Sequence, residues 1–262
     1  MPVNEIEQHP FLDYLGDNPD FSKYNSLIIG SFPIYCITNS TPIEANGEAI
    51  RNDWQNDAFM QFFYGSMRNK FWKLFFNAYH RDFENDNPTR IQCIDFVNEK
   101  KFILTDVIES SSRNYYRSSD NELIPELFNC NILNIIMKMN GNNIFFTSVN
   151  NNNPSPWNWF SINILNRLVD PNGFCIQEIE GTRNLFLTLK LNGQKKIFNV
   201  GFLFSPSPFG ARNQNRIKEF NNFRQITPDG NYTCFLETQY KELLRNENFN
   251  YNGTNPTPLI II

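Results

Sequence analysis

At 262 residues the chain is long for one α/β domain but does not demand two, and 40% hydrophobic with 15% aromatic residues, 26 of them Phe, supports a ring-rich core. Five scattered cysteines without a Cys-x-x-Cys pair argue for reduced thiols and against zinc ribbons and iron–sulfur clusters, and the two histidines, His9 and His80, weigh against a His-based metal site and against histidine catalysis. No apolar run reaches about eighteen residues and the acidic, Pro-containing N-terminus does not read as a signal peptide, so a cytoplasmic protein with no membrane partner is expected.

The net charge of −4 is unevenly spread. Residues 1–62 carry nine acids against Lys23 and Arg51, whereas residues 183–224 carry eight bases against Glu219 alone. Such asymmetry permits a basic face on an acidic protein.

In chain order, the first strand signal is Ser26 to Ile29, an apolar run that delivers Gly30-Ser31-Phe32-Pro33 to the end of a sheet. After a long segment, 35–61, comes Phe62-Phe63-Tyr64-Gly65-Ser66-Met67-Arg68-Asn69-Lys70-Phe71-Trp72, with a helix expected over 69–79. The run Lys101 to Leu104 leads to Thr105-Asp106, and a helix is expected over 122–139. Asn143 to Phe146 leads to Thr147-Ser148. Segment 150–194 holds an expected helix over 159–168 and a hairpin in which Leu185 to Leu191 precedes the turn pair Asn192-Gly193. Ile197 to Phe204 then leads to Ser205-Pro206-Ser207-Pro208, and the terminal 258–262 is expected as a short strand or a packing segment.

Unalternating apolar runs suit strands buried on both faces of a parallel sheet, and their alternation with helices predicts an α/β/α three-layer sandwich around a central, mostly parallel four-stranded sheet, with the hairpin inserted. Ligands of such sheets bind beyond the carboxyl ends of the strands, where all four polar loops lie. No repeat or linker divides the chain, so residues 1–262 form one expected domain with insertions at about 35–61 and 150–194.

The Gly30–Pro33 and Phe62–Trp72 segments together resemble pocket-forming segments of the uracil-DNA glycosylase superfamily, most closely its hypoxanthine (deoxyinosine)-DNA glycosylase and mismatch-specific branch. The resemblance implies a monofunctional DNA glycosylase that flips a damaged base of hypoxanthine or uracil type and hydrolyses its N-glycosidic bond. It further implies DNA as the partner, no cofactor and a monomeric protein. Asn69 matches the branch's catalytic asparagine; an amide can orient water without placing a positive charge beside an oxocarbenium-like sugar. Asn is also among the best helix N-caps, so both roles stand for Asn69.

Tyr64 takes the place of the ring that stacks on the flipped base, with packing in an aromatic core as the other reading. Phe32 stands where other branches carry a water-activating Asp or Asn, which leaves the backbone of Ser31 and Phe32 for base contacts. Ser205, Ser207 and Phe209 resemble the loop that enters the minor groove, followed by Arg212 and Arg216 for phosphate, with an ordinary Pro-rich turn as the alternative. Asp106, with Arg113 and Ser118-Ser119-Asp120, echoes a middle segment of the branch, and Asp106 fits the base edge, the orientation of a pocket residue, or a helix cap. Ser148 is a further base-binding candidate. Two other readings remain. One is a glycosylase for bulky modified phage cytosines in anti-phage defence, suggested by the insertions. The other is a non-catalytic nucleic-acid-binding module on the same scaffold.

Overall fold

The computed structural model describes residues 3–38, 44–45, 48–49, 60–66, 69–82, 87–114, 120–148, 154–180, 182–204, 206 and 217–245. In chain order its elements are β1 (Val3–Gln8), β2 (Ser26–Gly30), α1 (Tyr35–Thr38), β3 (Glu44–Ala45), β4 (Glu48–Ala49), α2 (Phe71–Ala78), α3 (Arg90–Glu99), β5 (Phe102–Asp106), β6 (Ile108–Arg113), β7 (Leu123–Phe128), α4 (Asn131–Lys138), β8 (Asn143–Phe146), α5 (Pro156–Trp159) and α6 (Asn166–Leu168). Then follow β9 (Phe174–Glu178), β10 (Leu185–Leu191), β11 (Gln194–Phe202), α7 (Lys218–Ile226) and α8 (Tyr232–Arg245).

The central sheet has six strands, not the four expected, in the order β5-β2-β8-β11-β10-β9. Its first four are mutually parallel, and β10 runs antiparallel to both β11 and β9. The expected hairpin is present, but its second strand is β11 itself. Asn192 (φ 50°) and Gly193 (φ 77°) take the left-handed conformations that a two-residue turn requires, so the hairpin widens the sheet. Every residue of β2, β5 and β8 is buried, the state that unbroken apolar runs prescribe for strands covered on both faces.

Helices flank the sheet. α2 buries Phe71, Trp72, Leu74, Phe75, Phe76 and Ala78; Phe75 stacks on Phe102 of β5 at 5.4 Å, and Tyr240 of α8 meets Phe75 edge-on at 4.6 Å. The Trp72 indole donates to the Phe63 carbonyl at 2.6 Å, which fastens the preceding turn to the helix.

A second sheet, antiparallel in the order β1-β6-β7, goes beyond the sequence expectation. The helix expected over 122–139 is replaced in its first half by β7 and survives only as α4. Pro125 removes a helical donor, and β7 instead pairs antiparallel with β6, with register shifts on either side of Ser110. After Asp106 the chain steps out of the central sheet through Val107 and enters the second at Ile108. The step is held by bonds from Val107 N to Gly30 O at 3.0 Å and Ile108 N to Ser31 O at 3.1 Å. Asp106 therefore sits at the corner joining the two sheets. The terminal segment 258–262 lies outside the described residues.

Candidate active site

From β2 the sheet extends to β5 on one side and to β8 and β11 on the other, so the connections leave the carboxyl ends of β2 and β8 in opposite senses. A crevice is expected at such a switch point. Gly30 ends β2 beside Asp106 in the ladder, and Thr147 follows β8 with its N–H bonded to Ile29 O at 3.0 Å.

Asp106 is buried and its two carboxylate oxygens differ. Oδ2 lies 2.9 Å from His9 Nε2. His9 Nδ1 accepts from the Phe11 N–H at 3.1 Å, so the ring proton belongs on Nε2 and is donated to Asp106. The His9 ring is fully buried, with Phe32 edge-on at 5.7 Å and Phe63 tilted against it at 5.2 Å. Oδ1 is buried and has no hydrogen-bond partner. An unmatched buried acceptor costs roughly 1–3 kcal/mol, more when charged.

The Tyr64 hydroxyl is a second buried polar atom without a hydrogen bond of full geometry. A Cβ on Gly30 would lie 2.2 Å from Asp106 Oδ1 and 2.5 Å from the Tyr64 hydroxyl, so both groups converge over a glycine that alone leaves them room. Burial, with the Asp106 charge second, raises the Tyr64 pKa well above the usual phenol value, while Thr147 acts in the opposite sense. The phenol is thus a neutral donor. Tyr64 itself has φ 56°, a left-handed conformation unusual for a bulky residue, within the tight turn closed by Gly65 N to Phe62 O at 3.1 Å. Its ring stacks on Phe71 at 4.1 Å.

Asp120 is the second carboxylate. Its Oδ1 accepts from Ser31 Oγ at 2.7 Å. Burial pushes its pKa up to about 6, opposed by the Ser31 bond, raised further by the Asp106 charge and lowered by Arg113. Arg113 is buried with Glu7, Nε to Oε1 at 2.7 Å. It also donates to the Pro33 carbonyl and lies over the Phe32 ring at 5.6 Å, while Thr38 Oγ1 donates to Glu7. This network clamps the Gly30–Pro33 loop from beneath.

Among the sequence candidates, Ser31, Phe32, Tyr64 and Asp106 gather at the carboxyl ends of β2 and β5, with Ser31 engaged by Asp120 and the Phe32 side chain buried. Ser148 follows Thr147 and is half-buried. Asn69 Oδ1 accepts from Phe71 N at 2.9 Å, so in this structure the side chain serves the helix start. Ser205, Ser207, Phe209, Arg212 and Arg216 lie outside the described residues, as do Ser118 and Ser119.

Sequence reasoning misses His9, Glu7 and Asn129. Asn129 is buried and donates to Thr105 Oγ1 at 3.0 Å and to the Asp106 carbonyl at 3.1 Å, fixing the backbone of the corner. A separate recess of about 670 Å³ runs along the outer edge of β5; its lining includes His9, Thr105 and Asn129 but not Asp106. Among the described residues no group of His, Cys, Asp and Glu is arranged to hold a metal ion, and no helix is long and apolar enough to cross a membrane. Comparison with protein-family models, curated proteins and solved structures finds no match to this chain.

Proposed function

We propose that this chain is a monofunctional DNA glycosylase that takes a flipped base of hypoxanthine or uracil type and hydrolyses its N-glycosidic bond, leaving an abasic site. One observation carries the reading. Gly30–Ser31, the Tyr64 turn, Asp106 and Thr147 come from separate segments to the switch point of a parallel sheet, and there they gather a buried phenol beside Thr147 and a buried carboxylate oxygen, Asp106 Oδ1, without a hydrogen bond. A neutral phenol donor beside an acceptor-only carboxylate oxygen suits the polar edge of a nucleobase or the water that attacks its sugar. The finer architecture in this reading is a three-layer α/β/α sandwich, with the Ser205–Phe209 loop and Arg212 and Arg216 set against the DNA backbone. Lys70, the lysine nearest in sequence, is exposed, and no Schiff-base chemistry is assigned to it.

The excision of bulky modified cytosines draws less support. Strands β9 and β10 of the second insertion extend the sheet beyond β11, away from the switch point, so they do not rim it. A non-catalytic binding module is favoured by one observation, the engagement of the Asn69 amide oxygen by the Phe71 N–H just ahead of α2. An abasic-site assay separates the readings. The panel is single- and double-stranded oligonucleotides bearing uracil, hypoxanthine, xanthine, hydroxymethylcytosine or its glucosylated form, treated with the native chain and with Asn69→Ala. A glycosylase excises at least one base, and Asn69→Ala lowers that rate by about a hundredfold or more while DNA binding persists. DNA binding without excision of any base, unchanged in Asn69→Ala, would sustain the module instead.

A further inference from the structure

Resting on the glycosylase reading, we propose that Asp106 is the carboxylate that takes the proton from the attacking water, and that His9 is its positioning residue. The loop after β2 has Phe32 where an acid could stand, and a phenyl ring accepts no proton. The neighbouring strand supplies the missing group: Asp106 is the ladder partner of Gly30, two residues before Phe32, and ends its strand at the same level.

Three features mark Asp106 for this role. Its Oδ2 is anchored by His9 Nε2 at 2.9 Å, and the His9 ring is itself fixed by the Phe11 N–H and by its aromatic neighbours. The bond leaves Oδ1 as the working oxygen, buried and unpartnered over Gly30. The backbone of Asp106 is held by Asn129 and by the step from β5 into β6, and its carboxylate is tied through Oδ2 to His9. A single oxygen with no donor, beside Tyr64 and near Thr147, Ser31 and Asp120, suits a base that takes a proton from water.

In the step, water donates a proton to Oδ1 as its oxygen bonds to C1′ of the sugar. The C1′–N bond breaks and its electron pair leaves on the base, which is then protonated from solvent. The sugar gains the hydroxyl and Asp106 later releases the proton. No metal or redox partner enters the balance.

The test measures single-turnover excision on the base the native chain releases, with DNA affinity measured on the same duplexes. Asp106→Asn keeps an acceptor for His9 but cannot take the proton; it should lower the excision rate by about a hundredfold or more with affinity changed by less than about threefold. Asp106→Gly should be inactive and regain excision on addition of formate, which supplies a carboxylate and which a merely structural role would not answer to. His9→Gln, which retains an N–H donor, should keep more of the rate than His9→Leu. An Asp106→Asn protein that excises at the native rate overturns the inference and leaves the glycosylase reading intact. So does a loss confined to affinity, which would make Asp106 a base-edge contact. A native chain that excises nothing on the panel overturns both.

Discussion

Gly30 has the least conspicuous side chain of the pocket and the most constrained position. Asp106 Oδ1 and the Tyr64 hydroxyl occupy the space a methyl group would need, and neither can yield easily, since one is tied to His9 and the other to the ring of Phe71. Gly30→Ala should therefore cost about 1–3 kcal/mol in denaturant unfolding and reduce excision beyond what that loss of stability explains. Unchanged excision would mean that the two polar atoms need not meet there. Asp120 offers a test of the local electrostatics. Its folded pKa of about 6 lies above the ordinary 3.8, chiefly through burial, so the fold favours the protonated acid. That contribution is complete below about pH 4 and is lost as pH rises through 6. Asp120→Asn, which never ionises and still accepts from Ser31, should raise the melting temperature at pH 7.5 and leave it nearly unchanged at pH 4. An equal effect at both values would mean that the change does not act through the ionisation of Asp120.

At the scale of elements, the second sheet decides where the site forms, because β1 brings Glu7 and His9 to the corner at which β5 gives way to β6. Glu7 and Arg113 are both almost wholly buried and are matched to each other, so removing one partner strands a charge. Arg113→Met should cost about 3–5 kcal/mol by urea denaturation, and Arg113→Met combined with Glu7→Leu should recover much of it. A cost below about 1 kcal/mol for the single change would show the pair to be dispensable. This pair also explains why β1 is not legible in the sequence. Its pattern is inverted, with Ile6 57% exposed and Glu7 4% exposed, so reading polarity as orientation gives the wrong face. The central strands have no such conflict: their apolar runs are buried on both sides, and the residues after them turn to polar types at the carboxyl ends of the sheet. The scarcity of histidine argues against a role for His9, yet that role comes from a contact to Asp106, 97 positions away, which no local pattern encodes. Asn69 and Tyr64 each have two readings, and the bond from the Phe71 N–H to the Asn69 amide oxygen and the stack of Tyr64 on Phe71 are compatible with both.

Across the whole molecule, the bases of 183–224 that belong to the described residues do not form one face. Lys190 pairs across the hairpin with Lys195, and Lys196 lies beside it, at the amino end of β11 and so at the opposite end of the sheet from Asp106. Arg183 is spent on the Phe204 ring at 4.0 Å and on Glu219 at 4.0 Å, and burial lowers its pKa. Lys190→Gln with Lys195→Gln should accordingly leave DNA affinity within about twofold and its salt dependence unaltered, since a lysine that neutralised a phosphate would add about 0.9 to the slope. A tenfold weaker complex would put DNA on the far end of the sheet and away from Asp106. The most direct test of the central claim is the release of abasic sites from a duplex bearing a single deoxyinosine or deoxyuridine, followed over time with the purified native chain. Excision that rises with enzyme and stops with Asp106→Asn is the expected result; an intact duplex at every enzyme concentration, together with intact oligonucleotides across the wider panel, would contradict it.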